Sequence, residues 1–150
     1  MRKIIKWVLL ILWVSLIFYM SNQIGKDSSN ASGFFVKELV KIVPILKPYT
    51  SIISFFVRKV AHIVEYFILG ILVYQLVDEY FIKDKRLVSI LICIFLSCFD
   101  EIHQLFVPLR NGTIIDIFYD SLGFLLAIYL LDVIKRKTKH YNVLCGKKEG

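Results

Sequence analysis

The sequence predicts an all-α polytopic membrane protein with four transmembrane helices and an outer interfacial helix. Three observations carry that expectation. The 150 residues are 57% hydrophobic with a mean hydropathy of +0.67, above the roughly 45–50% apolar content of a soluble domain. The apolar residues gather into runs close to the ~20 residues a helix needs to cross a bilayer. The basic residues collect at the ends of those runs. Seven Gly and three Pro exclude a collagen-like or low-complexity chain. A net charge of +7 in a soluble protein would suggest nucleic acid. Beside apolar runs it reads instead as topogenic charge facing anionic lipid, with no nucleic-acid partner. Cys93, Cys98 and Cys145 are odd in number and two lie inside an apolar run, which suggests neither a disulfide framework nor a zinc site.

The first span covers Ile4 to Met20 after Arg2, Lys3 and Lys6. It ends in Phe18-Tyr19-Met20-Ser21-Asn22-Gln23 without a small-residue cleavage site, so an uncleaved anchor is expected. The second starts near Ser51, after Pro48, and runs to Val77, with Thr50 or Ser51 as its cap. It carries Arg58, Lys59, His62 and Glu65 inside. The third, Leu87 to about Phe99, is short and needs Asp100 to Gln104 to complete a crossing. The fourth runs from Ile114 to Ile134 and contains Asp116 and Asp120. Between spans one and two, Phe35, Leu39, Ile42 and Val43 recur at helical spacing within Phe34 to Leu46, the pattern of a helix lying on a membrane surface. The membrane domain is expected over 1–134 and a solvated basic tail, without packed structure, over 135–150.

Basic residues set the orientation. Arg2, Lys3 and Lys6, then Lys83, Lys85 and Arg86, then Lys135, Arg136, Lys137, Lys139, Lys147 and Lys148 all fall on one side of a four-span chain. They are 12 of the 19 basic residues, so that side and both termini are expected to be cytoplasmic in a multi-pass cell-membrane protein.

The polar residues inside the spans converge at the opposite side. Arg58, His62 and Glu65 share a helical face at i, i+4, i+7; Asp116 and Asp120 share another, continued by Gly123; Asp100 and Gln104 are also i, i+4. Ser21 and Gln23 close the first span at that level. Each charge in hydrocarbon costs about 2.5–3.5 kcal/mol even on lenient scales, so these groups must face inward, pair or reach water. A purely structural network would set Arg58 and Lys59 against Glu65 and Asp116. His103 in Asp100-Glu101-Ile102-His103-Gln104 is a ligand-type residue outside the H-E-x-x-H pattern. Asp116 and Asp120, with Glu65 and Asp100, are candidate Mg²⁺ ligands alongside a phosphate.

These residues resemble a known family. Tyr19-Met20-Ser21-Asn22-Gln23 closes span one, Arg58-Lys59-Val60-Ala61-His62-Ile63-Val64-Glu65-Tyr66 lies in span two, and Asp100-Glu101-Ile102-His103-Gln104-Leu105-Phe106-Val107-Pro108-Leu109-Arg110 links spans three and four. Asp116, Asp120 and Gly123 follow. In this order, over about residues 15 to 127, the chain resembles the VanZ-like family of small bacterial membrane proteins, named for a member associated with low-level teicoplanin resistance. The resemblance carries Ser21, Gln23, Arg58, Lys59, His62, Asp100, Glu101, Gln104, Arg110, Asp116 and Gly123 over as family positions. The chain departs from the pattern at Leu109, where Gly is expected, and at Asp120, where Asn is common.

Two functional classes fit. In one, a non-catalytic envelope protein binds an amphiphile, a lipid head group or a lipoglycopeptide, with Arg58 and Arg110 holding an anionic group. In the other, an intramembrane enzyme acts on a lipid phosphate such as a polyprenyl-linked cell-wall precursor. There Arg58, Lys59 and Arg110 hold phosphate, Glu101 or Glu65 is general base, His62 is acid or base, and Asp116 and Asp120 bind Mg²⁺. Transport is a third, weaker reading that would need an oligomer. The first class is favoured because no complete catalytic motif is present.

Overall fold

The computed structural model describes residues 2–22, 36, 38, 40–80, 82–108 and 112–144. Four long helices form a bundle: α1 (Arg2–Ser21), α2 (Thr50–Asp78), α3 (Lys85–Gln104) and α4 (Ile114–Leu144). Each is long and apolar enough to cross a membrane. A six-residue 3₁₀ turn, Pro44–Tyr49, runs into α2 without a break. Neither Thr50 nor Ser51 caps α2. The N-cap position is Tyr49, with no side-chain capping bond, because the preceding 3₁₀ turn already supplies carbonyl partners. Of the expected interfacial helix, Val36, Glu38 and Val40–Ile42 are helical; the other residues of 34–42 lie outside the described set.

The bundle is apolar on the outside and mixed within, the inverse of a soluble protein. Ile11, Leu12, Leu91, Phe95, Leu126 and Tyr129 are exposed on its flanks, as hydrocarbon-facing surfaces should be. Inside, Leu10 and Ile17 of α1 meet Leu69, Val73 and Tyr74 of α2, Cys93 of α3, and Phe124 and Ile128 of α4. Cys93 and Cys98 are free thiols, Cys93 fully buried; Cys145 lies outside the described residues.

The α2–α4 contact is the spine of the fold. Gly123 makes it: a Cβ there would lie 2.3 Å from the Ile63 carbonyl oxygen and 2.9 Å from the Phe67 nitrogen. Only a residue without a side chain lets the two backbones approach so closely. The helix α1 sits at the side, tied to α2 by Trp13, whose indole N–H donates to the Glu65 carbonyl at 3.1 Å.

One end of the bundle, where α2 finishes, α1 and α3 begin and α4 passes Asp132, is closed by ion pairs. Asp78 takes Lys85 at 2.6 Å and also Lys135. Glu79 pairs with Lys6. Asp132, buried, accepts from Tyr74 Oη at 3.0 Å and pairs with Arg136 at 2.8 Å and Arg86 at 3.6 Å. A cleft of about 910 Å³ opens among these residues. The helix α4 runs on to Leu144, so the described part of the expected tail, 135–144, is helical, with Lys135 paired to Asp78 of α2 and Arg136 to Asp132 of its own helix. Tyr19, Tyr49 and Tyr80 are exposed near helix ends, as interfacial anchors are. Tyr74 is instead a buried donor to Asp132.

Candidate functional site

The opposite end carries the polar residues. Its local construction starts at the entrance to α4. Gly112 passes so close to α3 that a Cβ would fall 2.1 Å from the Glu101 carbonyl oxygen. That approach delivers the Thr113 N–H to Glu101 Oε2 at 2.8 Å. Thr113 then caps α4: the Asp116 N–H donates to Thr113 Oγ1 at 3.3 Å, and the Thr113 hydroxyl donates to Asp116 Oδ2 at 3.0 Å. Asp116 is thus fixed by its own helix start before it meets any other helix.

Across the bundle, the other Asp116 oxygen pairs with Lys59 of α2. The ammonium of Lys59 also lies 5.1 Å from the Phe55 ring centre and 5.4 Å from that of Tyr119, which adds cation–π attraction. One turn deeper, His62 Nδ1 lies 3.1 Å from Asp120 Oδ1, and the Ser97 hydroxyl donates to Asp120 Oδ2 at 2.7 Å. Gln104 on α3 donates through Nε2 to Asp100 Oδ2 at 2.8 Å, to Glu101 Oε1 at 3.3 Å and to Ser21 Oγ of α1 at 3.4 Å. All four helices therefore contribute to one polar cluster. Asp100, Glu101, Gln104, Asp116, Asp120 and Ser21 are buried in it. His62 and Lys59 are partly buried.

The sequence-derived candidates divide accordingly. Ser21, Lys59, His62, Asp100, Glu101, Gln104, Asp116 and Asp120 come together. Glu65 is half-buried one turn beyond His62 and within its electrostatic reach. Arg58 is exposed, and its neighbour Lys59 takes the Asp116 partnership. Gln23 and Arg110 lie outside the described residues. His103 packs edge-on against Phe18, ring centres 5.8 Å apart. The expected Mg²⁺ pair, Asp116 with Asp120, is not the group whose ligand atoms converge. Asp116 turns to Lys59 and Thr113, and the convergent set is His62, Glu101 and Asp120, one residue each from α2, α3 and α4, with ligand atoms within 4.8 Å of one another.

Three participants escaped the sequence reading. Ser97 could have been found: positions 97, 100, 101 and 104 fall at i, i+3, i+4 and i+7, one face of α3. Thr113 is visible as the first residue of a T-x-x-D pattern before an apolar run. Gly112 has no such signal, because its role is a close approach between chain segments distant in sequence.

The VanZ/LLP1 family model matches residues 6–135. No curated protein and no solved structure matches the chain. The match covers most of the sequence, so the chain belongs to the VanZ/LLP1 family, as a membrane protein with four candidate spanning helices.

Proposed function

We propose that this VanZ-family chain binds the head group of an amphiphile at the polar end of its bundle. The ligand class is a membrane lipid or a lipid-linked envelope molecule, including a lipoglycopeptide of the teicoplanin kind. The polar end faces outward and both termini face the cytoplasm, as the basic residues at the other end favour. The observation that carries the reading is the cluster itself. Four helices that have every reason to be apolar bring buried carboxylates, an amide and a hydroxyl into one network, and intramembrane ionisable groups are by default functional. Exposed Arg58 stands beside this network, available to an anionic head group from the bilayer face. Held at the envelope, such a protein lowers the access of a glycopeptide to its target, which links it to resistance.

Native mass spectrometry of the gently purified protein tests the binding. A copurified amphiphile that is lost in Lys59→Met and Asp100→Asn is the expected result. Detection of no amphiphile in wild type, in detergents that retain annular lipid, sinks the reading.

A second reading is favoured by one observation. The contact of Nδ1 with Asp120 orients the His62 imidazole, as a carboxylate orients a general base. An enzyme acting on a lipid phosphate or polyprenyl-linked precursor would use it so, with Glu101 adjacent. Release of inorganic phosphate from a polyprenyl pyrophosphate, abolished in His62→Gln while lipid is still retained, would decide for catalysis.

A further inference from the structure

At the polar end Glu101, Asp116 and Asp120 are all buried. Lys59 is committed to Asp116. His62 supplies at most one further positive charge. Glu101 is held by neutral donors, the Thr113 N–H and the Gln104 amide. Asp120 is held by the Ser97 hydroxyl and by His62. Buried carboxylates left without cations are expensive in a low-dielectric interior. Such a site is stabilised by taking up protons or a cation.

The positions of the donor atoms favour a metal ion. His62, Glu101 and Asp120 approach from three different helices, and one ligand atom from each lies within 4.8 Å of the others. Each carboxylate is oriented by a second partner, Ser97 for Asp120 and Thr113 for Glu101. Metal ligands are characteristically anchored in this way by outer hydrogen bonds. One imidazole nitrogen with two carboxylate oxygens suits a borderline divalent ion, Zn²⁺ or Mn²⁺, better than the all-oxygen shells of Mg²⁺ and Ca²⁺. Three protein ligands leave a coordination position for an exogenous oxygen, the arrangement of an open rather than a structural site.

We infer that His62, Glu101 and Asp120 form a divalent transition-metal site at the polar end. The inference rests on the amphiphile-binding reading in one respect: the open position is where an oxygen of the head group would bind. Metal ligands bind in their deprotonated forms, so binding weakens as pH falls.

The test is metal analysis of the full-length protein extracted in mild detergent, by inductively coupled plasma mass spectrometry, with thermal unfolding followed by Trp fluorescence. Wild type, loaded with Zn²⁺ or Mn²⁺ and desalted, should retain about one metal per chain, and the metal should raise the unfolding midpoint relative to the EDTA-treated protein. His62→Gln, Glu101→Gln and Asp120→Asn should each lower apparent affinity at least tenfold, since each removes one of three ligands. Asp132→Asn, at the other end, should bind as wild type does. Wild type that holds no more metal than the triple variant, and whose midpoint does not respond to Zn²⁺ or Mn²⁺, overturns the site even where single variants fail to fold. The two readings separate cleanly. An amphiphile copurified with metal-free, metal-unresponsive protein removes the metal and leaves the binding reading standing. Stoichiometric metal with no amphiphile does the reverse.

Discussion

The two ends of the bundle solve the same electrostatic problem in opposite ways. At the basic end Asp78 and Asp132 each have two cations and Glu79 has one. Asp78 faces Lys85 and Lys135, Asp132 faces Arg86 and Arg136, and Glu79 faces Lys6. At the polar end, Lys59 serves Asp116, while Glu101 and Asp120 rest on an amide, a hydroxyl, a backbone N–H and one imidazole. The first arrangement neutralises itself and reads as a clasp. The second holds Glu101 and Asp120 through neutral donors and one imidazole, which is how a site that takes up a ligand differs from one that only holds helices together.

The comparison breaks most sharply at Lys59. Lys59→Met should destabilise the protein by about 3–5 kcal/mol, because Asp116 would be left buried without its cation. Adding Asp116→Asn should recover much of that loss. Membrane abundance and unfolding in mixed micelles measure both. If the double variant is no better than the single, Lys59 acts through its aromatic contacts rather than its charge. Gly123→Ala should cost about 1–3 kcal/mol by forcing α4 off α2, with damage to the polar end, one turn away, but little at the basic cleft. A uniform loss at both ends would show that the bundle fails as a whole.

The direct contrast is Asp132→Asn against Asp120→Asn. The Arg partners of Asp132 are more than half exposed, so its neutralisation should cost about 1 kcal/mol or less, and less still in high salt. Asp120→Asn removes one of several crowded like charges. In metal-free protein it should shift stability by under about 1 kcal/mol in either direction while lowering metal retention. Equal losses of metal retention from the two would erase the distinction drawn between the ends. The smallest effect is expected of Arg58→Lys. At an exposed position it should change stability by no more than about 0.5 kcal/mol, so any loss of ligand retention at normal abundance isolates the guanidinium fork.

The sides of the membrane are open to a separate check. In a background lacking Cys93, Cys98 and Cys145, an impermeant thiol reagent applied to intact cells should label a cysteine introduced at Lys47 and spare one at Lys83. The reverse pattern would invert the proposed orientation.

The four spans were legible because hydropathy over ~20 residues depends on composition alone. The third span shows this well: Lys85–Gln104 includes the polar turn Asp100–Gln104 that an apolar stretch of 13 residues needed for its length. Most members of the polar cluster were legible through helical phase. Arg58 was not placed by that logic. It shares a face with His62, yet it is exposed, since phase says nothing about where a neighbouring helix begins. Lys59 pairs with Asp116 in the first turn of α4, so the residues of α2 before it stand beyond the start of that helix. The clasp at the other end was missed for a related reason. Asp132 and Tyr74 each sit alone in an apolar run, and only the packing of α2 on α4 makes them partners.

The length of α2 also makes it a ruler. Twenty residues separate Arg58 from Asp78, about 30 Å of helix, close to the thickness of a typical hydrocarbon core. With Asp78 at one surface, the guanidinium would reach the other at head-group height, with Lys59 and His62 just beneath it. Bilayer thickness then becomes a control on this molecule. A thicker membrane draws Arg58 toward the acyl chains, where the bundle must tilt, the bilayer thin or the side chain snorkel; a thinner one lifts the whole acidic cluster toward water.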